Sequence, residues 1–288
     1  KLVDYASSKN VLRELEYWNE IENVKTYSLP VNKEKNGELE YASITFSLLE
    51  TERLLQSVHQ AYHTNINDIL LTALGMTLQE WTDNSCFLVH LEGHGREDIG
   101  KAINVSRTIG WFTSIYPVIL KTNSLKYIGN EIKRTKEMLR KVPNKGIGYG
   151  VIKYLMKNDN KTDHSQLPIL FNYLGQFDQD INNIVFQPST MSVGKPISPT
   201  LVRKYILEIT GVVTEKQLTV RFDFNSGLLH TITVENLAEI YRQNVLKVIE
   251  HCMKKEGTEI TPSDVGYSGL SISDLETIQN KLKLKLKM

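Results

Sequence analysis

The stretch LVHLEGHGRE, residues 88–97, sets the reading of the whole chain. Leu88, Val89 and Leu91 belong to a short apolar run, Cys86–Leu91, of the length and bounding expected for a strand buried on both faces. The run then breaks into Glu92, Gly93, His94, Gly95, Arg96 and Glu97. Two carboxylates, an imidazole and a guanidinium thus surround two glycines at the end of a buried strand.

Working outward, the same patterns place other elements on either side. Glu40–Phe46 alternates as a strand, with Ala42, Ile44 and Phe46 on one face. Thr51 reads as a helix cap ahead of Leu54, Leu55, Val58 and Tyr62. Asp68–Trp81 carries the stripe Leu70, Ala73, Leu74, Leu78 and Trp81 of a helix. Trp111–Leu120 reads as a strand. Leu125–Val142 reads as a helix with Leu125, Ile128, Ile132 and Leu139 facing in and its Lys and Arg facing out, ended by Pro143 and the glycines Gly146, Gly148 and Gly150. Ile169–Leu174, Lys204–Val212 and Gln217–Phe224 are further strands. Val234–Cys252 keeps a 3.6-residue apolar period throughout. Strand and helix do not alternate regularly enough for a doubly wound parallel sheet, so the class is α/β with mixed strands.

The two ends have their own patterns. The chain lacks a starting Met and opens into a helical pattern with Leu12, Leu15 and Trp18 on one face. It therefore reads as a piece of a longer polypeptide that begins partway through a domain. Near the other end, Ser273 and Glu276 have the spacing of a capping box. Leu275, Ile278, Leu282 and Leu286 then share a helical face, with Lys281, Lys283, Lys285 and Lys287 supplying charge. This is either a solvated helix end or a basic amphipathic helix that docks on a partner. The run KLKLKLKM also fits a strand.

Bulk properties remove several function classes. Of the 288 residues, 41% are hydrophobic and 23% charged, enough for a normal core. A net charge of +1 lacks the basic excess of a nucleic-acid binder. No apolar run reaches membrane-spanning length, and the polar start lacks a signal peptide. Cys86 and Cys252 lie far apart in apolar patterns and read as buried thiols in a reducing, cytoplasmic compartment.

Familiar catalytic signatures are missing. GIGYG (146–150) lacks the Lys-Ser/Thr of a phosphate loop, GHGRE lacks zinc spacing, and there is no Gly-x-Ser-x-Gly elbow. Glu92 remains. A carboxylate at such a strand end can be partly desolvated, which suits it to move a proton. Arg96 is placed to orient Glu92 or bind a substrate carbonyl. The structural reading of the same residues is an ion pair of Glu92 or Glu97 with Arg96 that fixes a loop. FNYLGQFD (171–178) sets Asn172 and Tyr173 inside an apolar strand, either as core hydrogen-bonding groups or as a pair reaching into a cleft. In SRTIGWFTSIYPV (106–118), Trp111 and Phe112 read first as core.

LEGHGRE, SRTIGWFTSIYPV, PNKGIGYG and FNYLGQFD, in this order and spacing, together resemble the epimerization domains of nonribosomal peptide synthetases. TNINDILLTAL (64–74) and TPSD (261–264) extend the resemblance over essentially the whole chain. Related condensation domains usually differ where this chain has GWFTSIYP. The resemblance implies a chloramphenicol-acetyltransferase-like lobe with a mixed sheet flanked by helices, the second lobe of a two-lobed, V-shaped domain with a tunnel between its lobes. It implies inversion of the α-carbon of an aminoacyl or peptidyl thioester, delivered on the 4'-phosphopantetheine of an upstream peptidyl carrier domain, with no cofactor or metal bound by the domain itself. Glu92 matches the family's motif glutamate, Arg96 its arginine, and Asn172 and Tyr173 its polar pair. These four are the catalytic candidates. His94, Trp111 and Ser114 are the substrate-side candidates, although His94 reads first as loop structure.

The family's His-His-x-x-x-Asp-Gly element does not occur in this sequence. The expected layout is a connecting segment over 1–40, the lobe over 41–265 and a docking tail over 266–288 that contacts a downstream synthetase subunit. By itself this stretch is expected to be inactive or nearly so. The competing readings are a condensation-type domain that forms a peptide bond and a non-catalytic carrier-docking scaffold.

Overall fold

The computed structural model describes residues 2–32, 37–100, 104–156, 167–177, 203–266 and 269–286, together with Met191, Gly194 and Ser198; at 280 and 282–286 only the backbone is described. Contacts divide the chain into two compact units. The first comprises Lys1–Ser47, Cys86–Ile119 and Val142–Glu239, and the second Leu48–Ser85, Leu120–Lys141 and Ile240–Met288.

The first unit is built on a six-stranded mixed sheet, in the class expected from the sequence. Its strands are β1 (Leu39–Thr45), β2 (Cys86–Gly93), β3 (Ser114–Lys121), β4 (Leu167–Gln176), β5 (Tyr205–Thr214) and β6 (Gln217–Asn225), in the order β1-β6-β5-β4-β2-β3. β6 runs antiparallel to its neighbours β1 and β5, whereas β5, β4 and β2 are parallel. Because side chains alternate across a strand, the sheet has two faces of different character. Val89, Leu91, Ile169, Phe171, Leu207, Ile209, Val220 and Phe222 are buried.

Helices α1 (Leu2–Ala6), α2 (Lys9–Asn23) and α6 (Ile147–Leu155) belong to the same unit. The buried stripe of α2 is Val11, Glu14 and Trp18, and Leu12 is exposed, contrary to the face read from the sequence. Trp18 Nε1 donates to Glu14 Oε2 at 3.0 Å, which explains a carboxylate among aromatic rings. α6 was not foreseen. Pro143–Gly146 forms one tight turn, and the glycines open a new helix instead of only ending the previous one. Gly146 has φ +83, and a Cβ there would lie 2.1 Å from Tyr116 Cδ1, so no other residue fits this turn.

The second unit is helical. It contains α3 (Leu48–Glu52), α4 (Ile66–Thr82), α5 (Ile128–Lys141), most of α7 (Thr231–Lys254) and α8 (Ile272–Leu286). α4 is buried around most of its circumference because its sequence is apolar on nearly every side. Asn65 and Asp68 form its capping box, and Arg140 grips Asp68 through two hydrogen bonds of 2.9 and 2.7 Å. Thr51 is buried inside α3, not ahead of it.

On α5 the side-chain assignment by residue type fails in both directions. Leu125, before its first turn, is exposed, while Lys133 and Lys136 are buried. Lys136 Nζ donates to both Asp264 oxygens at 2.7 Å and to the Tyr62 carbonyl, and Lys133 pairs with Glu276 at 2.6 Å. Burial pushes Asp264 up, but hydrogen bonds from Lys136 and Thr261 outweigh it and hold the carboxyl below its ordinary value.

The tail is a helix through Leu286. Its cap is Ser271 with Asp274, since Ser271 N–H donates to Asp274 Oδ2 and Asp274 N–H to Ser271 Oγ; Glu276 is engaged with Lys133 instead. Leu275 is buried and Ile278 exposed. The side chains of Leu282, Lys283, Lys285 and Leu286, and all of Lys287, lie outside the described residues. Both cysteines are free, and Cys86 is only half-buried. Among the described residues no helix is long and apolar enough to cross a membrane.

Candidate functional site

Glu92 ends β2, where the sheet leaves its apolar register. Leu91 pairs with Phe171 of β4, so Glu92 stands beside Asn172. Asn172 Nδ2 donates to Glu92 Oε2 at 2.7 Å. The polar residue inside the apolar strand therefore serves to orient the carboxylate at the end of its neighbour. Glu92 is half-buried, and burial, reinforced by the negative charge of Glu208, raises its proton affinity above that of an ordinary glutamate. Among the described residues no cation pairs with it. Both effects make the carboxyl a better holder and donor of a proton than an ordinary glutamate.

Register extends this face across the sheet. Asn172 pairs with Thr210 on β5, and Glu208, two residues earlier, points the same way. Glu208 pairs with Asp223 on β6, and Asp223 with Tyr41 on β1. Asp223 is held by Arg221, at 2.7 Å, whose guanidinium lies 3.9 Å over the Tyr41 ring. Glu208 is paired with Arg203. Three carboxylates thus share one sheet face. The outer two have their own arginines, and Glu92 has a neutral amide.

The other candidates are placed differently. Tyr173 follows Asn172 on the strand and takes the opposite face, where its ring lies against Gly211: a Cβ on Gly211 would be 3.4 Å from Tyr173 Cδ2. Asn172 and Tyr173 are therefore not a pair on one side, and only Asn172 meets Glu92. Burial raises the Tyr173 hydroxyl above its ordinary range. Arg96 neither orients Glu92 nor pairs with it. Its guanidinium donates to the carbonyls of Val105 and of Gly110, the latter at 3.4 Å, and lies 4.2 Å over the Phe112 ring. The ion pair expected of Arg96 is not formed either, as Glu97 pairs with Lys145 at 3.1 Å. Arg96 is the clamp of the loop that leads into β3.

That loop also settles the glycine question. Gly95 has φ +64, and a Cβ there would fall 1.6 Å from the Phe112 carbonyl oxygen. The glycine is required by the close approach of the 112–114 segment, not by a ligand. His94 is exposed, and Trp111 is 89% exposed, so it is neither core nor strand. β3 begins at Ser114, whose buried Oγ lies beside Gly93 and has no hydrogen-bond partner among the described residues. No group of His, Cys, Asp and Glu fit to hold a metal ion occurs among the described residues.

Arg96→Ala should free the loop while leaving Glu92 in place. Losing two carbonyl bonds and the ring contact is expected to speed amide hydrogen exchange over residues 104–113 by about tenfold. Unchanged protection there would contradict the clamp.

The family model described as "Condensation domain" matches residues 1–270. The chain belongs to the condensation-domain family. Its relatives include surfactin synthase subunit 1 of Bacillus subtilis (strain 168), 40% identical over 286 residues that cover 96% of this chain and 8% of that protein. Gramicidin S synthase 1 of Brevibacillus brevis is also 40% identical, over 96% of this chain and 27% of that protein. This condensation-family chain thus spans a small part of the length of the curated relatives it matches. Among solved structures, the epimerization domain from the third module of tyrocidine synthetase B superposes with a TM-score of 0.80 at 38% identity, covering 88% of this chain and 58% of that one. A cyclization–docking bidomain from Sorangium cellulosum, with a TM-score of 0.63 and 16% identity, shares the fold. The mixed sheet and its helices are the chloramphenicol-acetyltransferase-like fold of nonribosomal peptide synthetase condensation domains.

Proposed function

We propose that this condensation-family chain contributes to epimerization of the α-carbon of an aminoacyl or peptidyl thioester, presented on the phosphopantetheine arm of a peptidyl carrier domain, in nonribosomal peptide synthesis of an antibiotic-type product in the cytoplasm. The observation that carries this reading is Glu92, without a counter-ion among the described residues, raised in proton affinity and oriented by Asn172. The thioester carbonyl acidifies the adjacent Cα–H. Glu92 in its charged form accepts that proton, or in its protonated form returns one, and Asn172 keeps the same oxygen aimed throughout. The 38% identity to a solved epimerization domain, and the GWFTSIYP stretch, favour this reaction over peptide-bond formation.

Inversion needs a second proton-transfer group on the other side of the carbon. We assign it to the His-His-x-x-x-Asp-Gly element that this sequence lacks, so activity is expected of a polypeptide that carries both. Ser114, with its unused hydroxyl, is the nearest candidate to bind substrate; His94 and Trp111 remain candidates as exposed loop residues. α8 is the element proposed to dock on a downstream synthetase subunit, with Ile278 on its exposed side.

The test is a product assay on a two-lobed polypeptide containing these residues, supplied with an L-aminoacyl carrier and an acceptor-loaded carrier. Recovery of the D-aminoacyl thioester supports the proposal. A lengthened peptide with retained L configuration would replace it with the condensation reading.

A further inference from the structure

The outer part of the sheet face is not used by the mechanism above, yet it carries more charge than the site itself. Glu208 lies on the same side of the sheet as Glu92, separated from it by β4 alone, and its charge reaches Glu92. Arg203, immediately before β5, holds Glu208 in an ion pair in which the arginine side chain is only 11% exposed. Nothing in the proton transfer requires this pair to stand here, and a negative charge beside the reacting carboxylate changes how tightly that carboxylate holds its proton.

We infer that Glu208 is a positioning residue acting through Glu92: its carboxylate, on the same sheet face one strand away and tempered by Arg203, adds to the effect of burial on the exchange of Glu92 between its charged and protonated forms. The inference rests on Glu92 as the proton-transfer group. The sign follows from Coulomb's law. Glu208 disfavours charge on Glu92 and so raises its proton affinity, while Arg203 partly cancels that charge. By the same law each carboxylate disfavours charge on the other. The other groups around this pair are His90, two residues before Glu92 on the same face of β2 and 5.5 Å from the Tyr205 ring, Asn172 on β4, Tyr205 on β5, Asp223 and Arg221 on β6, and, through Tyr205, Tyr154 near the end of α6. Tyr205 stays neutral in the working range, since burial, with Glu92 beside it, pushes its hydroxyl far up.

The measurement is a titration of the glutamate side-chain carboxyls by carbon NMR in the uniformly labelled chain, with the Glu92 signal assigned by its loss in Glu92→Gln. Glu208→Gln is expected to lower the Glu92 midpoint. Arg203→Gln is expected to move the last proton of the pair to higher pH, an effect of opposite sign that does not depend on Glu208→Gln folding. A Glu92 midpoint unchanged in Glu208→Gln, or an Arg203→Gln shift towards lower pH, would overturn the inference. In the two-lobed polypeptide the limb of the kcat/KM profile for epimerization that Glu92 governs, acid if it accepts the proton and alkaline if it donates one, should move with Glu208→Gln in the same direction. The titration reads Glu92 itself, so absence of epimerization would count against the proposed function and leave the coupling to be judged by NMR alone.

Discussion

Glu92→Gln is expected to slow conversion of the L-aminoacyl thioester to its D form by about 10²–10⁴-fold in a polypeptide that carries both proton-transfer elements. Glutamine keeps the shape of the side chain and an oxygen that accepts the Asn172 amide, so the strand end is preserved and only the exchangeable proton is lost. The substitution also serves as its own folding control. Glu92 has a raised proton affinity in the folded chain, so its favourable contribution is fully present below the ordinary glutamate pKa and is lost as pH rises through its raised value. Above that value the folded protein holds a half-buried charge with no cation beside it among the described residues. Replacing it by a neutral amide should leave Tm at pH 8 unchanged or slightly raised. A large fall in Tm accompanying the rate loss would assign Glu92 a structural part instead. Asn172→Ala should have a smaller effect, because it removes the orientation of the carboxyl and keeps the carboxyl itself.

Asp68→Ala is expected to cause the largest loss of stability among single polar substitutions in the helical unit. Asp68 is completely buried, accepts the Asn65 N–H at 2.6 Å, and takes two hydrogen bonds from Arg140. Removing it breaks the capping box of α4 and leaves the arginine without its partner. Breaking a buried pair costs about 3–5 kcal/mol and loss of a cap about 1 kcal/mol. The Arg140 side chain is 31% exposed and can turn towards water, which places the total near the lower end, about 3 kcal/mol. For a chain of this size that is a fall in Tm of roughly 6–10 °C. Asp68→Asn, which retains the cap, should fall between. A change in Tm of under roughly 2 °C for Asp68→Ala would mean that α4 does not depend on this cap and ion pair.

How far the sequence carried these conclusions depended on whether the information was local. The strand Cys86–Gly93 and the glutamate at its end were legible because a short apolar run stops abruptly at a charged, glycine-containing turn. The polar Asn172 within an apolar strand announced that it needed a partner, and the motif resemblance linked it to Glu92. Spacing misled where it was read as contact. Arg96 is four residues from Glu92, but the segment between them is a strand end and a loop, so no helical repeat brings the two together. Asn172 and Tyr173 are adjacent in sequence and therefore on opposite faces of a strand.

Glu208 was invisible for a different reason. Within YILEITGVVT it reads as the outward residue of an alternating strand, and only the order β5-β4-β2, which joins segments from distant parts of the chain, puts it near Glu92. Lys133 and Lys136 were assigned outward by type, since their carboxylate partners lie 143 and 128 residues away. Gly146 was read as a helix stop, whereas it makes room for the ring of Tyr116, as Gly95 does for the backbone at Phe112.

The central claim is that these residues help to remove and return an α-proton on a carrier-bound thioester. Its most direct test is to incubate the two-lobed polypeptide with a loaded aminoacyl carrier in deuterated water and measure deuterium at Cα by mass spectrometry after release of the amino acid. The account expects deuterium to enter Cα during repeated turnover by the wild-type protein and entry to fall by at least about 10²-fold with Glu92→Gln. Exchange that proceeds equally well with Glu92→Gln, or no exchange from a folded wild-type protein with its carrier fully loaded, would contradict it.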